Sequence, residues 1–231
     1  MNIDQLKSDI ITKGYTQFNL KDFNEDYYNQ LLEFKCNETQ NLKHLMTSVR
    51  VDGKSLEIDK IQIQENSKYG SFEEASNVRL EKLKLIKGTP VQSWFYTEYN
   101  LLPINEVIKK IKYNITRTLF SIDNSIRLKA VVTDFTFFDY GCHIENHRDG
   151  SDDDRICSIV LYLNETYDKK YGGILKLKNE EEVLPIFGNV VIISLEKTNA
   201  NIEHEVSKVV GGIGRYAITT FVKYGEPTKI I

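Results

Sequence analysis

Proline is scarce in this 231-residue chain, with four scattered residues, so no linker composition divides it. Cysteine is scarcer still. Cys36, Cys142 and Cys157 are odd in number, widely spaced and without a Cys-x-x-Cys pair, which argues against a disulfide framework or a thiolate zinc site and reads as reduced packing thiols. Charge of one sign is nearly absent: 30 basic against 33 acidic residues leave a net of -3, so no global field marks out a polyanionic partner and nucleic acid is disfavoured. Nowhere do about 18 apolar residues stand together, as a membrane helix requires. The opening "MNIDQLKSDI" lacks the basic stretch and apolar run of a secretory leader. No internal repeat is visible. The expectation is a soluble, cytoplasmic protein with no membrane partner.

With 41% hydrophobic residues, the chain can bury a substantial core. We expect one domain over 1–231, with a mixed, helix-bearing support region over 1–126 and a β core over 127–226. A short helix is expected near Ile3 to Ile11, then a strand-like "YTQFNL" and a helix from Asp22 to Phe34. The stretch from Cys36 to Gly88 is polar and irregular, punctuated by Gly53, Gly70 and Gly88. The clearest helix starts at Pro103, where Ile104, Val107, Ile108, Ile111, Ile115 and Leu119 recur at the spacing of one buried face. From Arg127 the period shortens to two, and eight strands fit: "RLKAVVTDFTFF", "CHIENH", "CSIVLYLN", "GILKLK", "EEVLPIF", "NVVIISL", "EHEVSKVV" and "RYAITTFVKY". Eight short strands with tight breaks indicate a sandwich or jelly roll.

On an extended strand residues i and i+2 share a face, so His147 and Asp149 in "HRD" present an imidazole and a carboxylate together while Arg148 faces away. The only later histidine is His204, in "IEHEV". Two imidazoles and one carboxylate leave open coordination positions, which suits non-heme Fe(II) better than a closed structural zinc site. "HIE" is a rival histidine-carboxylate pair, and His143 has the same strand parity as His147.

Beyond "HRD" and "HEV", the elements "IVLYLN", "YGGILKL" and "GRYAITTF" follow in order across Thr133 to Tyr224. In these motifs the C-terminal half resembles the Fe(II)/2-oxoglutarate-dependent dioxygenases, in their prolyl 4-hydroxylase-like branch. The resemblance implies a double-stranded β-helix core of jelly-roll, cupin-like form, mainly β with flanking helices. It makes His147, Asp149 and His204 the catalytic iron ligands, selecting "HRD" over "HIE". It makes Arg215 the anchor of the distal carboxylate of 2-oxoglutarate, a role that suits the two-pronged hydrogen bonding of guanidinium. Tyr162 matches a position that often hydrogen-bonds the cosubstrate. Thr219 shares a strand face with Arg215 and can add a hydroxyl there. His143 is read first as a hydrogen-bonded wall residue and second as a substrate contact.

Two departures from the family pattern stand out. A tyrosine often found shortly before the first ligand is Phe138 here, which removes one polar contact, with Tyr140 as a candidate replacement. The nucleic-acid demethylase branch places a second arginine after the one matching Arg215, whereas "RYAITTFVKYG" offers only Lys223. Asp149 itself is present, unlike the small residue of halogenating relatives.

The implied reaction consumes 2-oxoglutarate and O2, with ascorbate as an auxiliary reductant, releases succinate and CO2, and hydroxylates an unactivated C–H bond. The expected substrate is a prolyl residue or another amino-acid or peptide group. The alternatives are a free amino acid, a small natural-product scaffold, or a jelly-roll binding module without turnover. Asp152, Asp153 and Asp154 read as a solvated loop, with attraction of a cationic substrate as the sharper alternative. Arg155 either orients a substrate carboxylate or carbonyl or neutralises these acids. Trp94, with Phe95 and Tyr96, either packs in the core or walls the pocket.

Overall fold

The computed structural model describes residues 1–42, 48–51, 54–57, 93–96, 102–138, 140–149, 155–178, 180–195, 202–212 and 214–225. Side chains are described over 1–33, 106–129, 136, 138 and from 140 onward within those ranges. Helix α1 (Ile3–Lys13) starts where the Asn2 side chain accepts the amides of Asp4 and Gln5, and it stops at Gly14, whose φ of 82° only glycine adopts readily. Strand β1 (Tyr15–Asn19) follows, then α2 (Leu20–Phe23) and α3 (Glu25–Leu42). The helix expected from Asp22 is therefore broken at Asn24, which is extended and whose side chain accepts the Tyr27 amide. An asparagine that bonds its own downstream backbone starts a new helix rather than continuing the old one.

Strands β2 (Ser48–Val51) and β3 (Lys54–Glu57) form a hairpin within the stretch read as irregular, and β4 (Ser93–Tyr96) joins it. Helix α4 (Leu102–Phe120) buries Ile108, Ile111, Ile115 and Leu119 along the expected face, together with Lys112 and Thr116, which the pattern of apolar residues does not mark.

The eight strands read from the sequence appear as β5 (Leu128–Phe138), β6 (Ile144–His147), β7 (Arg155–Tyr162), β8 (Leu175–Leu177), β9 (Glu182–Val183), β10 (Asn189–Ser194), β11 (His204–Val206) and β12 (Arg215–Tyr224). They fold into two sheets, ordered β1-β10-β7-β12-β5-β4-β2-β3 and β6-β11-β8-β9. This is a double-stranded β-helix, with every strand pairing antiparallel. Strand β11 is much shorter than "EHEVSKVV" because residues beyond Val206 turn their backbone to loops: Val209 donates to Cys142, and Val210 to Tyr171.

Strand β7 explains how one sequence serves two environments. Its residues are buried from Ile156 to Tyr162 because helices cover one face of the large sheet and the small sheet covers the other. Cys157 lies 3.7 Å from Thr116 of α4, which assigns Cys157, Ile159 and Leu161 to the helical side. Ser158, Val160 and Tyr162 consequently point between the sheets, where they pair across the ladder with Phe221, Thr219 and Ala217 of β12. No helix among the described residues is long and apolar enough to cross a membrane.

Candidate active site

His147 and His204 are direct cross-strand partners on β6 and β11, and their rings stand 4.3 Å apart, centroid to centroid. Asp149 lies just past the end of β6, and one carboxylate oxygen is 3.6 Å from His147 Nε2 and 3.8 Å from His204 Nε2. The three ligand atoms all lie within 4.8 Å of one another. Each imidazole is fixed from behind: Nδ1 of His147 is 2.9 Å from the Glu145 carbonyl oxygen, and Nδ1 of His204 is 3.2 Å from that of Ile202. A carbonyl only accepts, so each Nδ1 carries a proton, which leaves Nε2 as the nitrogen turned to the shared space.

The charges agree with that geometry. Burial pushes the Asp149 carboxyl up, but the two imidazoles and the Ser158 hydroxyl outweigh it and hold the group below its ordinary value, so it is anionic at neutral pH. His204 is lowered, chiefly by burial, which favours the neutral imidazole. The donor set therefore fits a divalent transition metal. Arg148 turns outward to an ion pair with Glu203 at 2.9 Å, as strand parity requires.

A second group of residues lies at the start of β12. Arg215 is 2% exposed, and no carboxylate among the described residues pairs with it. Its guanidinium lies 4.6 Å from the Phe138 ring centroid and 5.0 Å from that of Tyr162. Nη2 donates to the Tyr162 hydroxyl at 3.4 Å, while Nε has no hydrogen-bond partner. A buried cation in this condition is a ready seat for an anion. Phe138, the departure from the family pattern, is the cross-strand partner of Arg215 and supplies a π face instead of a hydroxyl. Tyr140 lies half-buried in the turn after β5.

Asn164 closes "YLN", and no sequence pattern marks its role. Its side chain donates to the Gly214 carbonyl at 2.7 Å and accepts from the Tyr216 amide at 2.8 Å, gripping the backbone on both sides of Arg215. Thr219 is half-buried opposite Val160, four residues along the strand from Arg215, and its hydroxyl makes no hydrogen bond among the described residues. Four strand residues span about 13 Å.

Of the remaining expected positions, His143 and Arg155 have described side chains. His143 is half-buried, with Nδ1 3.3 Å from the Gly141 carbonyl oxygen, in keeping with a wall residue. Arg155 opens β7 with its guanidinium 4.5 Å from the Phe221 ring centroid. The backbone of Trp94 pairs with Phe137, but its side chain, like those of Phe95 and Tyr96, lies outside the described residues, as do Asp152, Asp153 and Asp154.

Residues 133–223 match the family described as the 2OG-Fe(II) oxygenase superfamily. No curated protein matches the chain by sequence. Among solved structures, a prolyl hydroxylase from Trichoplax adhaerens, in complex with a hypoxia inducible factor oxygen degradation domain peptide fragment, is similar at TM-score 0.61 and 15% identity, covering 96% of this chain and 88% of that one. A Pseudomonas putida prolyl-4-hydroxylase is similar at 0.50 and 18%, with coverage of 97% and 100%. The non-heme alpha ketoglutarate dependent epimerase SnoN from nogalamycin biosynthesis is similar at 0.56 and 10%, with coverage of 99% and 86%. At these identities the likeness is one of fold.

Proposed function

We infer, from the match of residues 133–223 to the 2OG-Fe(II) oxygenase superfamily, that this chain is such an oxygenase and hydroxylates a prolyl or other amino-acid group within a peptide or protein. Membership brings the reaction class and its requirements, Fe(II), 2-oxoglutarate and O2. The observation that carries the site reading is the convergence of His147, Asp149 and His204, with both Nδ1 atoms committed to backbone carbonyls. In this reading those three residues hold the iron, and Arg215 with Tyr162 holds the distal carboxylate of 2-oxoglutarate.

When bound, the metal and cosubstrate supply the oxidising power that converts a C–H bond to C–OH as 2-oxoglutarate becomes succinate and CO2. The chain's own residues position and shield. Asp149, His147 and His204 would hold the metal through three protein ligands, leaving further positions for cosubstrate and O2. Arg215 neutralises the far carboxylate in a site walled by Phe138 and Tyr162, where low dielectric strengthens the pairing. Tyr162, raised by burial against the pull of Arg215, keeps its proton and donates it. Thr219 lies deeper on the same face and bounds the cosubstrate along its length.

Peptide substrates are favoured by the rim. His147 is 36% exposed at its side chain, whereas Asp149 and His204 are shielded, so the site opens on the β6 side, and Arg155 on the Phe221 ring is placed to orient a peptide carbonyl or carboxylate. His143 walls that opening. The Trichoplax neighbour is itself a peptide complex. The whole chain is read as one unit, with residues 1–126 supporting the 127–226 core, and ascorbate serves as auxiliary reductant in a reducing, cytoplasmic setting that suits the buried thiols of Cys142 and Cys157.

The test is anaerobic titration with Fe(II) and 2-oxoglutarate, following the visible charge-transfer band of the chelate, with Asp149→Ala as control. Wild type is expected to develop the band and the variant to lack it. Coupled succinate release on proline-containing peptides, exceeding that on free amino acids, then tests the substrate class. Folded wild type without a band would refute the site assignment.

A further inference from the structure

Tyr167 lies between the end of β7 and the 3-10 turn Lys169–Tyr171, its ring held edge-on by Tyr171 at a centroid distance of 6.1 Å. Its hydroxyl is buried and has no hydrogen-bond partner. Leaving a buried hydroxyl unpaired costs about 1–3 kcal/mol, so the packing alone favours phenylalanine at this position. The hydroxyl lies beside the carboxylate anchor, as Gly173 demonstrates: a Cβ built on that residue would stand 2.7 Å from the Tyr167 hydroxyl and 3.4 Å from Arg215 Cβ. Gly173, with φ +63°, thus keeps open the space between the phenol and the start of β12.

Three groups with a donor to spare gather at this end of the large sheet. The Nε of Arg215 lacks an acceptor, the Tyr162 hydroxyl receives Nη2 and retains its own proton, and the Tyr167 hydroxyl has no partner. All three can donate, and an ionised carboxylate offers about four lone-pair sites.

We propose that Tyr167 is a second phenolic donor to the distal carboxylate of 2-oxoglutarate, completing with Arg215 and Tyr162 a three-residue clasp that selects a dicarboxylate. This assignment rests on the reading of Arg215 as the anchor. Burial pushes the Tyr167 phenol up to about 12 against the opposing pull of Arg215, so the proton needed for donation is present at neutral pH. Tyr167 also restores a polar contact to a site where Phe138 withholds one. It does so from a different element, the connection between β7 and β8.

The experiment compares wild type with Tyr167→Phe, both loaded anaerobically with Fe(II), in charge-transfer titrations with 2-oxoglutarate and with 2-oxopentanoate, which lacks the distal carboxylate. A hydrogen bond to a charged group predicts that the variant binds 2-oxoglutarate about tenfold or more weakly. Its affinities for Fe(II) and 2-oxopentanoate should match wild type. Unchanged 2-oxoglutarate affinity, or equal weakening of both oxoacids, would overturn the role of Tyr167 while leaving the site reading intact. Absence of a band in wild type would overturn both. Near-UV circular dichroism and Tm distinguish a misfolded variant, and Tyr167→His then repeats the comparison, with partial recovery of dicarboxylate preference expected and none counting against the proposal.

Discussion

Arg215 and Asp149 make the sharpest contrast between single residues, since the proposed reading gives each a different guest. Arg215→Ala should leave Fe(II) affinity unchanged and weaken 2-oxoglutarate by about a hundredfold, the upper part of the range for losing charge-assisted hydrogen bonds. Asp149→Ala should remove the metal itself. Titrating each variant with Fe(II) alone separates the roles, and equal loss of iron from both would contradict them. Lys112 tests the molecule away from the site. Burial in the α4 stripe, reinforced by Lys109, lowers this amine from 10.5 to about 8. Between those values the folded protein binds fewer protons than the unfolded chain, so stability rises with pH through that window and the penalty is fully present below it. Lys112→Met should therefore stabilise the protein at pH 7 by about 1–3 kcal/mol. Urea melts at pH 7 and pH 10 check this, and an advantage that did not shrink at the higher pH would rule out the titration as its cause.

Elements turn those residues into a site, and Asn164 is the joint between two of them. One amide side chain ties the end of β7 to the backbone flanking Arg215, so Asn164→Ala should raise the Kd for 2-oxoglutarate about three- to tenfold and lower Tm, with Fe(II) binding unaltered. Asn164→Asp keeps the acceptor for the Tyr216 amide and should recover part of the loss. A cosubstrate affinity indifferent to both changes would deny the joint its positioning role. The strands themselves were legible because a period of two and glycine or asparagine breaks are local signals, and α4 was legible from its apolar stripe. His147, Asp149, His204 and Arg215 could be picked out because their motifs stand in a known order. The grip of Asn164 could not, since its partners lie some fifty positions away and amide side chains carry no periodic mark. The same holds for the Tyr167 hydroxyl, whose want of a partner appears only when the loop is laid against β12. The early hairpin of β2 and β3 was hidden by its polar sequence, and the length of β11 was overstated because alternation continues past the point where the backbone turns to loops.

At the scale of the whole molecule, binding and folding are linked. In the proposed reading Fe(II) and 2-oxoglutarate would engage a site assembled from β6, β7, β11 and β12, a constellation the unfolded chain lacks, so saturating both should raise Tm. Ligand at a hundred times its Kd contributes about 2.7 kcal/mol. Differential scanning fluorimetry under anaerobic conditions measures the shift, and an Asp149→Ala protein should show none with Fe(II). Strand β6 has a particular place in this linkage. It is the outermost strand of the four-stranded sheet, hydrogen-bonded within it to β11 alone, and it carries His147 with Asp149 just behind. An edge strand is the easiest to peel. The metal would then act as a rivet at the seam most exposed to proteases, and pulse proteolysis should nick the iron-free chain around Cys142 to Asp149 while sparing the loaded one. In a living cell, the lifetime of the chain would become a readout of iron supply.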